Sequence, residues 1–219
     1  MNAIHAALVV LFSSFNSFIA FQDQETLPLA ANVRERCLEI LSSGIRSEEF
    51  WPAMHAAEAL TLTGAGAEVI SQLRDRLPLE RNDQRRCGLA RELVRAGDRS
   101  SLAVLLNILE DVKSTGRVHA AESLFKLGEA GDSPLLNAAF KQQENPQLQL
   151  MAAAALAKKG RADALMLLRE QLRSEDRPIR NTVAFALARL GGKPDVEPLL
   201  SALDRETDTV SRVMLVRPS

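Results

Sequence analysis

The sequence predicts an all-α solenoid of about five two-helix repeats of 31–33 residues, with an extra helix before them and a partial sixth repeat after them. Three observations carry this prediction. A glycine recurs at Gly64, Gly97, Gly128, Gly160 and Gly191, at intervals of 33, 31, 32 and 31. Four residues before each stands a leucine (Leu60, Leu93, Leu124, Leu156, Leu187), and seven before each an alanine (Ala57, Ala90, Ala121, Ala153, Ala184). No five-residue stretch of the region alternates as a strand requires. Self-similarity at such a period marks stacked units, each too small to bury its own apolar face.

The register has a physical reading. Ala and Leu three apart share one face of a helix. The small residue lets a neighbouring helix come close, Leu fills the remaining space, and Gly ends the helix in a left-handed conformation. A second helix follows within a few residues. Its apolar positions are Val69, Ile70, Leu73 and Leu77 in the first copy, and Leu105, Leu106 and Leu109 in the next. Later copies place Leu135, Leu136 and Phe140, then Leu167, Leu168 and Leu172, then Leu199, Leu200 and Leu203. Asp132, Asp163 and Asp195 stand just ahead of these helices, where a short acceptor caps free amides.

In chain order, residues 1–21 come first. Residues 6–21, "AALVVLFSSFNSFIAF", carry no charge and precede the polar "QDQE". They read as an export signal or retained anchor, with a cut after Ala20, which predicts an exported, periplasmic or membrane-associated protein. Residues 22–47 hold the extra helix, over 28–43, as an N-terminal cap. Residues 48–206 are the repeats. Residues 207–219 begin a sixth first helix, "DTVSRVMLV", and then stop at "RPS". A chain broken inside a hairpin is one expectation here; a short terminal helix acting as the cap is the other.

The segment 176–192, with Asp176, Arg180, Ala184, Ala186, Leu187 and Gly191, resembles the short bacterial HEAT-like repeat, also known from phycobilisome lyases. That family's pattern is Asp, then Val-Arg, then Ala-x-Ala-Leu-x-x-Leu-Gly. The resemblance covers roughly residues 48–206 and is closest at 176–192 and 113–128. It implies a helical scaffold for protein partners. Tetratricopeptide repeats would need Tyr and Trp, whereas this chain has no Tyr and the single Trp51. The tie to the lyases is one of repeat type, and the aromatic content provides no evident bilin pocket.

Composition narrows the function. Twenty-seven basic against 28 acidic residues leave a net charge of -1, so no overall field draws nucleic acid or an anionic membrane. Aromatics at 4% leave few platforms for base stacking. Cys37 and Cys87 read as two packed thiols rather than a disulfide framework.

Two copies of His-Ala-Ala-Glu, at His55–Glu58 and His119–Glu122, ask whether they bind a metal. With the core leucine at zero, Glu falls at about 160° and His at about 220° around the helix. Both therefore point away from the core, as exposed pairs on an outer face, where Arg91 also falls. The copies sit about 20 Å apart, too far to share one ion. The HEAT-like deoxyhypusine hydroxylases use an adjacent His-Glu before such a run. Here those positions hold Met54 and His55, and Val118 and His119, so the motif is not matched. No metal, cofactor or catalytic residue is assigned.

Arg86, Arg117 and Arg180 occupy one repeat position, at about 20°, on an inward face. A buried guanidinium needs a partner. Asp83 and Asp176 stand three and four residues before Arg86 and Arg180, which predicts a structural Arg/Asp ladder between repeats. The function read from all this is a non-catalytic protein–protein scaffold. Second helices would line a concave face and offer Arg74, Asn107, Asn137, Lys141, Arg169, Glu170 and Asp204 to a protein partner. The alternatives are an N-terminal regulatory or scaffold part of a longer protein, and an enzyme of the lyase or hydroxylase kind.

Overall fold

A computed structural model describes residues 30–129 and 133–216. The uncharged run 6–21 and Asp132 lie outside the described residues. By contacts the chain divides into two units, residues 1–37 and 38–219. In the first, the described residues from 31 to 37 are the exposed opening turns of helix α1 (Ala31–Gly44), and Cys37 is exposed among them rather than packed.

In the second unit, first and second helices alternate. The first helices are α2 (Phe50–Leu62), α4 (Asp83–Arg95), α6 (Arg117–Leu127), α8 (Pro146–Lys158) and α10 (Arg177–Leu190), with α12 (Thr209–Val216) in the same place in the partial repeat. The second helices are α3 (Gly66–Leu73), α5 (Leu102–Glu110), α7 (Pro134–Phe140), α9 (Ala162–Gln171) and α11 (Val196–Arg205). No strand occurs among the described residues.

The start and stop signals act as their chemistry requires. Asn82, Asn145 and Asp176 each accept the amide three residues on (3.1 Å in all three), opening α4, α8 and α10. All five recurring glycines have positive φ, from +66° to +112°, which lets the chain turn back for the second helix. The Ala and Leu columns are buried throughout: each Ala is fully enclosed, and no Leu is more than 4% exposed. The expected aspartate caps do not all form. Arg161, not Asp163, holds the N-cap position of α9, and Asp195 turns away from α11.

Every first helix lies against the next, from α2 to α12, whereas among second helices only α5 and α7 touch beyond an isolated approach. The first helices thus form the more closely packed row, and small side chains are the cause. Ala152 to Ala155 make the middle of α8 thin and fully buried, and Phe125 of α6 meets Phe185 of α10 at 6.3 Å between ring centroids.

Candidate interaction surface

The first-helix row begins with charge. Glu58 on α2 pairs with Arg95 on α4 at 3.1 Å. Arg95 also bonds Glu92, and Glu92 accepts from Arg91 Nε at 2.7 Å. Arg91 is 8% exposed and Glu92 wholly buried. Arg91 was expected on an exposed outer face, so its place is corrected. On α6, His119 stands 3.5 Å from Glu122, and Lys126 binds the same carboxylate at 2.7 Å. Burial alone would raise the Glu122 pKa. His119, Lys126 and Arg91 outweigh it and hold the carboxyl down to about 2.

This answers the question of the repeated His-Ala-Ala-Glu. In each copy the His does meet its Glu, at 3.8 Å for His55 and Glu58. His55 is exposed, but His119 and both glutamates are partly covered. The glutamates serve as partners of cations on the row rather than as free outward groups. Among the described residues no group of three or more His, Cys, Asp or Glu converges as a metal site would require. Cys87 is buried, with its thiol facing the Gly116 carbonyl at 3.7 Å, and burial pushes its pKa up to about 12.

Toward α10 the row becomes less acidic and more apolar. A groove of about 300 Å³ opens there, lined by Val118, Glu122 and Lys126 of α6, Met151 of α8 and Thr182 and Phe185 of α10. Lys126 Nζ and the Arg189 guanidinium lie 5.4 Å and 5.1 Å from the centre of the Phe185 ring. Lys158 Nζ lies 5.4 Å from that of Phe125.

The arginine column ties repeats together, and of the two nearby aspartates Asp83 takes part and Asp176 does not. Arg117 donates to the Leu109 carbonyl at 3.0 Å and to Gln142 of the following turn at 3.1 Å. Arg180 reaches Glu206, also in the following turn, at 3.4 Å. Gln149, which replaces Arg in the fourth copy, still donates to the Phe140 carbonyl at 3.0 Å. Arg86 does pair with Asp83, at 2.9 Å, and Asp83 accepts from Ser114 of the next repeat at 2.6 Å. Those bonds hold the Asp83 carboxyl below its usual range against the effect of burial. Asp176 is a helix cap and not the partner of Arg180.

Three residues expected to meet a partner belong to a second ladder that the sequence reading missed. Arg74 bonds Asp98 at 3.4 Å. Arg161 donates to the Asn137 side-chain oxygen. Arg169 grips the buried Asp195 with two bonds, 2.5 and 3.1 Å. Each joins a second helix to the turn after the next first helix. The signal was a complementary polar residue 24 to 26 positions later. Asn107, Glu170 and Asp204 are exposed on the second helices, and Lys141 is exposed at the end of α7.

Compared with known proteins, residues 133–215 match the family described as HEAT repeats. No curated protein matches the chain. Among solved structures, the complex of CpcE and CpcF of phycocyanin lyase from Nostoc is similar at 18% identity and a TM-score of 0.42. The match covers 81% of this chain and 91% of that one.

Proposed function

We propose that this solenoid of HEAT-like repeats is a non-catalytic scaffold that binds a protein partner along its first-helix row. The observation that carries the reading is the valley over α8. Its four successive alanines are fully buried, α6 and α10 rise on either side, and the groove between them has apolar walls and a polar rim. A concave strip made by successive repeats is the surface such proteins use for extended partners. On the second-helix side, Arg74, Asn137 and Arg169 are already spent on neighbouring repeats.

Site-specific photo-crosslinking of the full chain in its native cells tests this. A crosslinker at Gln147 or Thr182 should trap a discrete protein adduct, and one at Asn107 or Glu170 should not. Adducts confined to Asn107 and Glu170 would return the binding face to the second helices and defeat the proposal.

A further inference from the structure

We infer that a cleft between the second helices α9 and α11 binds a small apolar carboxylate, with Arg173 and Arg205 as its anchors. A cavity of about 550 Å³ opens there, and one of about 340 Å³ adjoins it. Leu172, Arg173 and Arg205 line both. Small-molecule sites have volumes of this order. α9 and α11 do not pack on each other beyond an isolated approach, so the space between them is open to a ligand. The cleft lies apart from the first-helix groove and does not depend on a protein partner there.

Both arginines are surplus to the fold. They stand 32 residues apart, as do Asp176 and Asp208, which accept the amides that open α10 and α12. They therefore hold one repeat position: Arg173 follows the Leu172 that closes α9, and Arg205 is the last residue of α11. An arginine at a helix end ordinarily serves the unpaired carbonyls. Here other arginines have taken that role. Arg180 donates to the Ser174 and Glu175 carbonyls at 2.9 and 2.8 Å, and Arg212 to those of Leu203 and Glu206 at 2.9 Å each. Arg169 and Arg180 also border the cavities, but they are paired with the buried Asp195 and Glu206. Among the described residues Arg173 has no ion pair or side-chain hydrogen bond. Arg205 has one, from Nε to the Ser201 carbonyl at 3.1 Å, which leaves its terminal nitrogens free.

Two unengaged guanidinium groups bordering the same space suit an oxyanion, which each can bind with parallel N–H donors. The rim selects for a single negative charge. Glu197 lines the larger cavity and Glu175 the smaller, and among the described residues neither pairs with a cation. They repel a phosphate dianion more strongly than a carboxylate. Leu172, Pro194 and Pro198 give the larger cavity an apolar wall, with the Ser201 hydroxyl beside it. A carboxylate carried on an apolar body matches all of these features. Bound there, it ties together two repeats whose second helices barely touch.

The test is isothermal titration calorimetry of the full chain with phenylacetate. Phenylacetamide, of the same shape without the charge, and phenyl phosphate, a dianion at about pH 8, are the comparison probes. Phenylacetate should bind more tightly than either. Its Kd should rise at least about tenfold in the Arg173→Gln/Arg205→Gln variant, as expected when charge-assisted hydrogen bonds are removed. Both side chains are exposed, so the variant should fold, which its helical signal checks. Glu197→Gln should tighten binding by taking a repelling carboxylate off the rim. Arg177→Gln, at an exposed cation that lines neither cavity, should leave the affinity unchanged. No binding of phenylacetate, or equal binding of phenylacetamide, would overturn the proposal. An equal loss in Arg177→Gln would do the same, by reducing the arginine pair to a diffuse positive field. Tighter binding of phenyl phosphate would overturn the carboxylate in favour of a phosphate ligand.

Discussion

Glu92→Gln is the sharpest probe of the buried charge on the first-helix row. The carboxylate is wholly enclosed and accepts from Arg91 Nε at 2.7 Å and from Arg95. An amide of the same size keeps the shape but removes the charge between two guanidinium groups. A hydrogen bond to a charged acceptor contributes about 1.5–3 kcal/mol, and a neutral one about 0.5–1.5, so two weakened bonds cost about 2 kcal/mol together. The new amide N–H2 must also face a guanidinium donor, and Arg91, at 8% exposure, has little access to water in its place. The total cost is about 2–4 kcal/mol. With a slope of about 2 kcal/mol per molar urea, the unfolding midpoint falls by about 1–2 M.

Glu170→Gln, at an exposed position on α9, is the control and should shift stability by less than about 0.5 kcal/mol. Hydrogen exchange should place the loss in α4 and its neighbours α2 and α6, since a repeat array feels a lesion through its nearest interfaces. Replacing the pair together, Arg91→Met with Glu92→Leu, should cost less than Glu92→Gln alone, because no buried charge is left behind. Equal midpoints for Glu92→Gln and Glu170→Gln would refute the reasoning.

The remaining predictions concern the same row and its thiols. Arg91→Ala should destabilise by about 3 kcal/mol and Arg117→Ala by about 1–2 kcal/mol, in thermal or urea unfolding. That is the reverse of the order the sequence suggests. The Glu122 carboxyl is held at about 2 instead of its usual 4.5. Its stabilisation is therefore complete above pH 4.5 and is lost as pH falls toward 2, and Glu122→Gln should flatten that part of the stability curve; an unchanged curve would contradict the pairing. Iodoacetamide at pH 8 should label Cys37 in the native chain and leave Cys87 unmodified until urea is added, read by intact mass.

The fold was legible in the sequence because its signal is redundant. Ala, Leu and Gly repeat together five times, and each residue type has one structural use at its position. The surface was harder to read. A helical wheel for one repeat places Glu58, Arg91 and Glu122 opposite the core leucine, and this is correct for an isolated hairpin. It does not show that neighbouring repeats rise beside that face. The ladder was legible only in part for a related reason. Asp83 does pair with Arg86, but the partners of Arg117 and Arg180, Gln142 and Glu206, lie a repeat further on. Arg169 and Asp195 are likewise 26 positions apart.

Helix spacing links the repeat to its groove. Each first helix has a fully buried alanine at the position that meets its neighbours, and α8 has four in succession. The second helices bury mostly larger side chains, such as Val69, Leu105, Leu136, Leu168 and Leu199, with Ala139 and Ala164 beside them. Helices approach to about 8 Å where the contact residues are small and stay nearer 10 Å where they are large. The closely packed first-helix row lets Phe125 of α6 and Phe185 of α10 meet across α8 at 6.3 Å, with Lys126 and Arg189 against the Phe185 ring and Lys158 against that of Phe125. The groove thus depends on the alanine column, so enlarging Ala153 or Ala154 should spread α6 from α10 and part the two rings without touching either.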